Sequence, residues 1–415
     1  MHIHKKHNWT DFRWDTEKIL PLLGNVRHLQ GNLLGRMQSI GFQLIEEATL
    51  LTLTLDTVDT SKIEGEFLNP NEVRSSIARK MGIENAEFIA TSRSVEGIVD
   101  VLLDATQNYS NPLTETRLFG WHNSLFQTGF SGYQQIDVAK YRSGGMKVVS
   151  GNFGREKVHF EAPEAERVKF EMDKFLEWFN SPSPNPATVP STDSATDLSP
   201  NSATVPSTDS ATDPSPNPSP QGRGMDAVLK SAIAHLWFVT IHPFDDGNGR
   251  LARAIMDMQL ARSDNSKIRF YSMSNQIYKE HKRYNNLLEA AQKSDGDITA
   301  WLEWFLGCFE RALLASEQNL KLILDKAKFW DTHRETTIND RQRLIINYFY
   351  NNYGKSFEFL RTKVYAELAK CSTDTAFRDL QDLVEKQMLT QEGSGKKTNY
   401  IVVSPSDMRI PKEMA

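Results

Sequence analysis

His242-Pro243-Phe244-Asp245-Asp246-Gly247-Asn248-Gly249-Arg250-Leu251-Ala252-Arg253 is a short glycine-rich turn between two stretches of helical apolar periodicity. Before it come Ala227, Val228, Ile233, Leu236, Trp237 and Val239, which predict a helix buried on most sides and ending near Ile241. After it Leu251, Ile255, Met258 and Leu260 mark a second helix, with its first turn near Gly249 or Arg250. A helix that starts from such a turn is an anion site, because its first N–H groups and its dipole favour phosphate oxygens, and Gly247 and Gly249 let the backbone come close. Arg250 and Arg253 lie three apart on one helical face, so both guanidinium groups can address one polyphosphate. His242 faces the same turn and titrates near neutrality, which makes it the natural general base for an attacking hydroxyl. Asp246 would repel phosphate unless a cation lay between them, and that points to magnesium bridging phosphate oxygens. Together these residue types imply phosphoryl or nucleotidyl transfer.

The string His-Pro-Phe-x-Asp-Gly-Asn-Gly-Arg-x-x-Arg at 242 to 253 resembles the signature of the Fic (filamentation induced by cAMP) domain family. The resemblance implies a mainly α fold with a helical Fic core, and a protein adenylyltransferase that moves AMP from ATP to a Ser, Thr or Tyr hydroxyl. In that reading His242 deprotonates the hydroxyl, Asp246 holds magnesium at the α and β phosphates, and Asn248 with the backbone of Gly247 and Gly249 positions the phosphates. Arg250 and Arg253 neutralise the remaining charge, and Phe244 anchors the loop. Gly249 stands where relatives that phosphorylate their targets carry lysine, which favours AMP transfer. The segment 275 to 288, with Tyr284, resembles the stretch that closes over the adenine.

Residues from Trp9 to about Ser110 show apolar spacings of 3 and 4, as at Leu20, Leu23, Val26, Leu33 and Met37, and predict helices with a break near Gly41. Within them Thr60-Ser61-Lys62-Ile63-Glu64-Gly65 resembles the inhibitory motif of regulated Fic proteins. The resemblance implies an ion pair between Glu64 and Arg253 that removes the γ-phosphate partner, with Thr60 and Gly65 completing the motif. Read without the family, Gly65 is a helix cap and Glu64 a solvated carboxylate. Val148, Val149, Val158 and Phe160 flank Ser150-Gly151-Asn152-Phe153-Gly154, which predicts a β-hairpin. In the family a hairpin at this place is the flap that pairs with the target, with Val148 and Val149 the contact residues here.

The 415 residues suffice for two or three domains, and 39% hydrophobic content suffices for packed cores. A formal net charge of −5 implies neither a bulk nucleic-acid binder nor a membrane-surface protein. Cys308 and Cys371 lack any CxxC spacing, the first residues lack a signal peptide's apolar core, and no apolar run is long enough to span a bilayer, so a cytoplasmic protein is expected. Asn185-Pro200 and Asn201-Pro216 are near-identical tandem copies within a segment, 181 to 224, whose composition predicts a disordered insertion. From 331 to 405 the pattern suggests three helices and a β-wing, with Ser372 capping the expected recognition helix and Gly393-Ser394-Gly395 at the wing tip, and looks like a winged helix. Lys and Arg nearly balance Asp and Glu there, which favours a protein-contact role, while Lys396 and Lys397 keep DNA open.

The expected organisation is an N-terminal helical region with the inhibitory motif over 1–110, a Fic core over 111–325 and a winged-helix domain over 331–405. The implied substrate is ATP, the cofactor Mg2+, and the partner a protein with an acceptor hydroxyl. Self-modification, a homo-oligomer, removal of AMP in place of its transfer, and a nucleotide-sensing transcriptional regulator remain open at this stage.

Overall fold

The computed structural model describes residues 2–38, 42–83, 89–150, 157–182, 225–352, 359–393 and 398–403. The repeat insertion over 183–224, the hairpin turn over 151–156, the expected break at Gly41 and the wing-tip residues Ser394 and Gly395 lie outside them. The fold is mainly α, with three two-stranded antiparallel pairs among the described residues. Two compact units are present, one of Met1–Leu34 with Leu50–Leu313 and one of Gly35–Thr49 with Leu314–Ala415. Helices α1 (Thr16–Gln38), α2 (Phe42–Ile63) and α11 (Thr299–Thr332) run through the boundaries between them. Among the described residues no helix is long and apolar enough to cross a membrane.

At the centre of the first unit lies α7 (Ala227–Ile241), buried along its whole length as its all-round apolar sequence requires. Asp226 caps it, accepting from the Val228 N–H at 2.7 Å. Helix α8 (Asn248–Asp264) packs along it through Leu251, Ile255, Met258 and Leu260. On another side α6 (Ala165–Asn180) lays Val168, Met172, Phe175 and Phe179 on the core, and Trp178 approaches Trp237 at 4.9 Å between ring centroids. Trp301, Trp304, Phe305 and Phe309 of α11, expected as core, are buried.

Two further helices bring the N-terminal region to the motif. Leu50, Leu53 and Val58 of α2 share one apolar cluster with Val73, Ile77 and Ala78 of α3 (Pro70–Met81) and Val95, Val99 and Leu102 of α4 (Arg93–Gln107). Polar contacts then tie α2 to α9 (Met273–Lys279): Asp56 accepts from the Ser274 N–H at 3.1 Å and Asp59 from the Asn275 amide at 2.6 Å. The end of α2 is thereby aimed at the start of α8. After α5 (Glu115–Leu125) come a short ribbon, β1 (Phe130–Ser131) with β2 (Gln134–Gln135), and the hairpin β3 (Lys147–Ser150) with β4 (Lys157–Glu161). A register irregularity between Val148 and Val149 leaves both of them solvent-facing, while Phe160 is buried. Helix α10 (His281–Gln292) lies between α9 and α11 in sequence.

In the second unit α12 (Asp340–Asn352), α13 (Thr362–Leu368) and α14 (Thr373–Glu385) precede the ribbon β5 (Leu389–Glu392) and β6 (Asn399–Val402). Ile345, Ile346, Phe349, Tyr365, Leu380 and Tyr400 are part of its core. Ser372 caps α14 as its sequence position suggests, accepting from the Thr375 N–H at 3.1 Å.

The crossing of α4 and α5 depends on Gly97, where an added Cβ would collide with the Ser124 carbonyl. Gly97→Ala should therefore destabilise the protein by about 1–3 kcal/mol of overpacking, although alanine gains about 1 kcal/mol of helix propensity. Urea unfolding of the full chain measures the sign, and equal or greater stability would contradict the crossing.

Candidate active site

Helix α7 stops because His242 takes a left-handed conformation, φ 53 and ψ 60, and Pro243 follows. The His242 N–H still closes the last turn on Phe238 O at 3.0 Å. Its Nδ1 lies 3.2 Å from the Val239 carbonyl, which fixes the proton on Nδ1 and leaves the Nε2 lone pair available. Burial pushes the imidazole down to about 4, with the Val239 hydrogen bond opposing and Arg142 adding to the fall. The ring is neutral at physiological pH, the form a base requires.

Phe244 is fully buried and stacks on His122 with centroids 4.3 Å apart, so it anchors the loop. Asn248 was expected at the phosphates. Its carboxamide spans Phe244, accepting from the Phe244 N–H at 3.0 Å and donating to the Phe244 carbonyl at 2.8 Å, which locks the loop onto the first residue of α8. Asp246 accepts from the Gly247 N–H at 2.5 Å and from the Ser131 hydroxyl of the first ribbon. Gly247 has φ 80, and a Cβ there would overlap the Phe126 ring.

The two motif arginines diverge, and each meets a carboxylate. Arg253 is buried, and its Nε donates to Thr60 Oγ1 at 2.6 Å, while Nη2 donates to the Thr60 carbonyl at 2.9 Å and to Glu64 Oε1 at 2.6 Å. The Glu64 carboxylate stands so close to Gly249 that a Cβ on that glycine would overlap it. Arg250 lies over the Phe126 ring and donates from Nη1 to Glu66 Oε2 at 2.9 Å. Both carboxylates flank Gly65, whose φ of 80 turns the chain at the end of α2. A cavity of about 560 Å³ is lined by Glu64, Glu66, Arg93, Ser131, Asp246 and Arg250, among others.

Tyr284 is buried, its hydroxyl 2.9 Å from His235 Nε2, and burial raises it to about 12 against the opposing charge of Arg253. Tyr284 is thus a buried neighbour of the motif arginine Arg253. Val148 and Val149 present exposed side chains on β3. Four site residues escaped the sequence reading: Glu66, Ser131, His122 and Arg142. His122 accepts the Ala139 N–H on Nδ1 at 3.1 Å and so donates from Nε2 to the Asp246 carbonyl at 3.2 Å. No periodicity or motif marks these positions, because their partners lie far away in sequence.

No group of three or more His, Cys, Asp or Glu side chains forms a metal cage among the described residues. One carboxylate, Asp246, beside a basic turn is nevertheless a donor set magnesium accepts, since that ion commonly takes one or two carboxylates with substrate phosphates and water.

The sequence model of the Fic/DOC family matches residues 112–260, and that of a domain of unknown function (DUF4172) matches residues 2–83. A protein adenylyltransferase Fic of Culex quinquefasciatus is 36% identical over 90 residues, a segment that is 21% of this chain and 16% of that relative. Protein adenylyltransferase fic-1 of Caenorhabditis briggsae is 49% identical over 39 residues, 9% of this chain and 8% of the relative. Among solved structures, a Fic family protein from Desulfovibrio desulfuricans shares 18% identity at a TM-score of 0.48, covering 94% of this chain and 97% of that one. Fic-1 from C. elegans shares 16% identity at 0.43, covering 73% of each.

A depressed His242 has a definite sign. The unfolded imidazole, near 6.5, binds its proton before the folded one, whose value is about 4. Its contribution to stability is thus full above pH 6.5 and falls as the pH drops toward 4. In a histidine-labelled NMR titration the His242 ring should hold its neutral shift down to about pH 5.5. A midpoint near 6.5 would contradict the burial described.

Proposed function

We propose that this protein, whose residues 112–260 match the sequence model of the Fic/DOC family, is an autoinhibited protein adenylyltransferase that moves AMP from ATP to a Ser, Thr or Tyr hydroxyl of a protein. The observation that carries the reading is the neutral His242 at the foot of an anion-binding helix start whose two arginines are both held by acidic side chains. The acceptor hydroxyl gives its proton to Nε2 of His242 while its oxygen bonds to the α-phosphorus. The bond from that phosphorus to the bridging oxygen breaks, and pyrophosphate leaves. Orientation of the hydroxyl and neutralisation of the polyphosphate are the two tasks left to the protein.

The first N–H groups of α8, without intrahelical partners, receive phosphate oxygens at Gly247 to Arg250. Arg250 and Arg253 take the outer phosphates once their carboxylates leave. Asp246 is the residue to hold Mg2+, which when bound would offset charge between phosphate oxygens. Ser131 keeps that carboxylate oriented. The exposed edge around Val148 and Val149 is where an extended target segment adds as a strand.

The brake works by competition. Glu64 answers Arg253 in the resting chain, so a triphosphate binds without its outer phosphate on that arginine and the α-phosphate stays out of line with His242. Glu66 does the same, more weakly, to Arg250, because that guanidinium is 11% exposed where that of Arg253 is 1% exposed. Residues 1–110 supply this inhibitory region, 111–325 the Fic core, and 331–405 a winged-helix module. The near balance of charge in that module supports a protein contact.

Labelled ATP and cell lysate test the reading. Glu64→Gly should raise AMP incorporation on the order of tenfold or more, and adding His242→Ala should lower it by about 10²-fold or more. Glu66→Gln alone should give a smaller rise. Unchanged labelling with Glu64→Gly removes the brake, and undiminished labelling with His242→Ala removes the base.

A further inference from the structure

Arg142 reaches from the root of the β3–β4 hairpin to the motif loop and is only 3% exposed. Its Nε donates to the His242 carbonyl at 2.7 Å, Nη1 to the Gly144 carbonyl at 2.7 Å, and Nη2 to the carbonyls of Pro163 at 2.6 Å and Ile241 at 3.4 Å. Its own backbone N–H donates to Pro243 O at 2.9 Å. All of these acceptors are neutral carbonyls, which makes burying the charge costly and rules out mere space filling as its reason. The carbonyls fall into two sets. Ile241 and His242 are orphan acceptors at the end of α7, and Gly144 and Pro163 bracket the two strands of the hairpin.

We propose that Arg142 is the positioning residue of His242: one planar fork clamps the carbonyl of the base and both roots of the hairpin, fixing imidazole and docked hydroxyl at a set separation. This rests on the reading of His242 as the base. A non-glycine residue at φ 53 holds that conformation only where its surroundings impose it. The Val239 carbonyl sets the ring tautomer, and Arg142 sets the peptide plane from which the ring projects. A lysine cannot reproduce the fork, because a point-like ammonium does not present several donors in fixed directions. Charge adds a second effect. Arg142 is the cation that disfavours protonated His242, while Glu64 at the end of α2 and Asp246 on the motif loop favour it.

The test uses the full chain carrying Glu64→Gly, with Arg142→Gln or Arg142→Lys added. It reads the His242 ring titration by NMR, assigned through the signal lost in His242→Ala, and label incorporation from ATP into lysate protein. Arg142→Gln should raise the His242 midpoint by about 1 pH unit and cut the maximal rate on the order of tenfold to a hundredfold, with the KM for ATP little changed. Arg142→Lys should keep the midpoint near that of the parent yet recover only part of the rate. An unmoved midpoint in Arg142→Gln, or a full rate in Arg142→Lys, overturns the proposal. If Arg142→Gln unfolds, the lysine variant alone decides. If even the parent transfers no label, the titration still decides the role of Arg142, while the transferase reading falls by itself.

Discussion

A buried guanidinium must be answered by something, and in this protein the answer to Arg253 governs the rest. At 1% exposure the cation would be unstable without partners, and it takes two oxygens of Thr60 near the end of α2 and one of Glu64 on the turn that follows. Phosphate is the other anion with the right geometry. On the proposed function the same side chain both stabilises the resting fold and sets the condition for activity, because a phosphate would reach it by replacing the Glu64 carboxylate. That exchange trades one charge-assisted contact for another, so the net free-energy difference between the two states is small compared with either contact alone.

The body of α2 is held by contacts separate from the one that Glu64 makes to Arg253. Leu50, Leu53 and Val58 fix the helix by apolar packing, and Asp56 and Asp59 pin it to α9. Glu64 comes after the last helical residue, on a turn ended by Gly65, and its side chain is 37% exposed. On the proposed function a change of rotamer at Glu64 would free Arg253 Nη2 of its carboxylate while the Thr60 contacts stay.

Local information was the legible part. The motif loop is twelve consecutive residues, so its histidine, glycines and arginines could be assigned together, and the end of α7 at Ile241 followed from periodicity alone. Helix α8 begins at Asn248, slightly before its expected start, because the carboxamide of that residue closes the loop on Phe244. Arg142 was illegible, since its acceptors at 241, 242, 144 and 163 meet only in three dimensions, and Tyr141-Arg142-Ser143 carries no pattern. Glu66 was passed over for a related reason: the residue it answers, Arg250, is remote in sequence. Tyr284 and Asn248 were placed near the nucleotide by resemblance; the structure gives Tyr284 a distant partner in His235, while the Asn248–Phe244 pair lies four residues apart within the motif.

The competition at Arg253 is tested most directly by crystals of the wild-type chain and of Glu64→Gly, each soaked with magnesium and a non-hydrolysable ATP analogue. The variant should place the outer phosphate on Arg253 and the α-phosphate beside Nε2 of His242, while the wild type keeps Glu64 on Arg253 with the α-phosphate out of line. An α-phosphate poised at His242 in the wild type, with the Glu64 ion pair still closed, would contradict it.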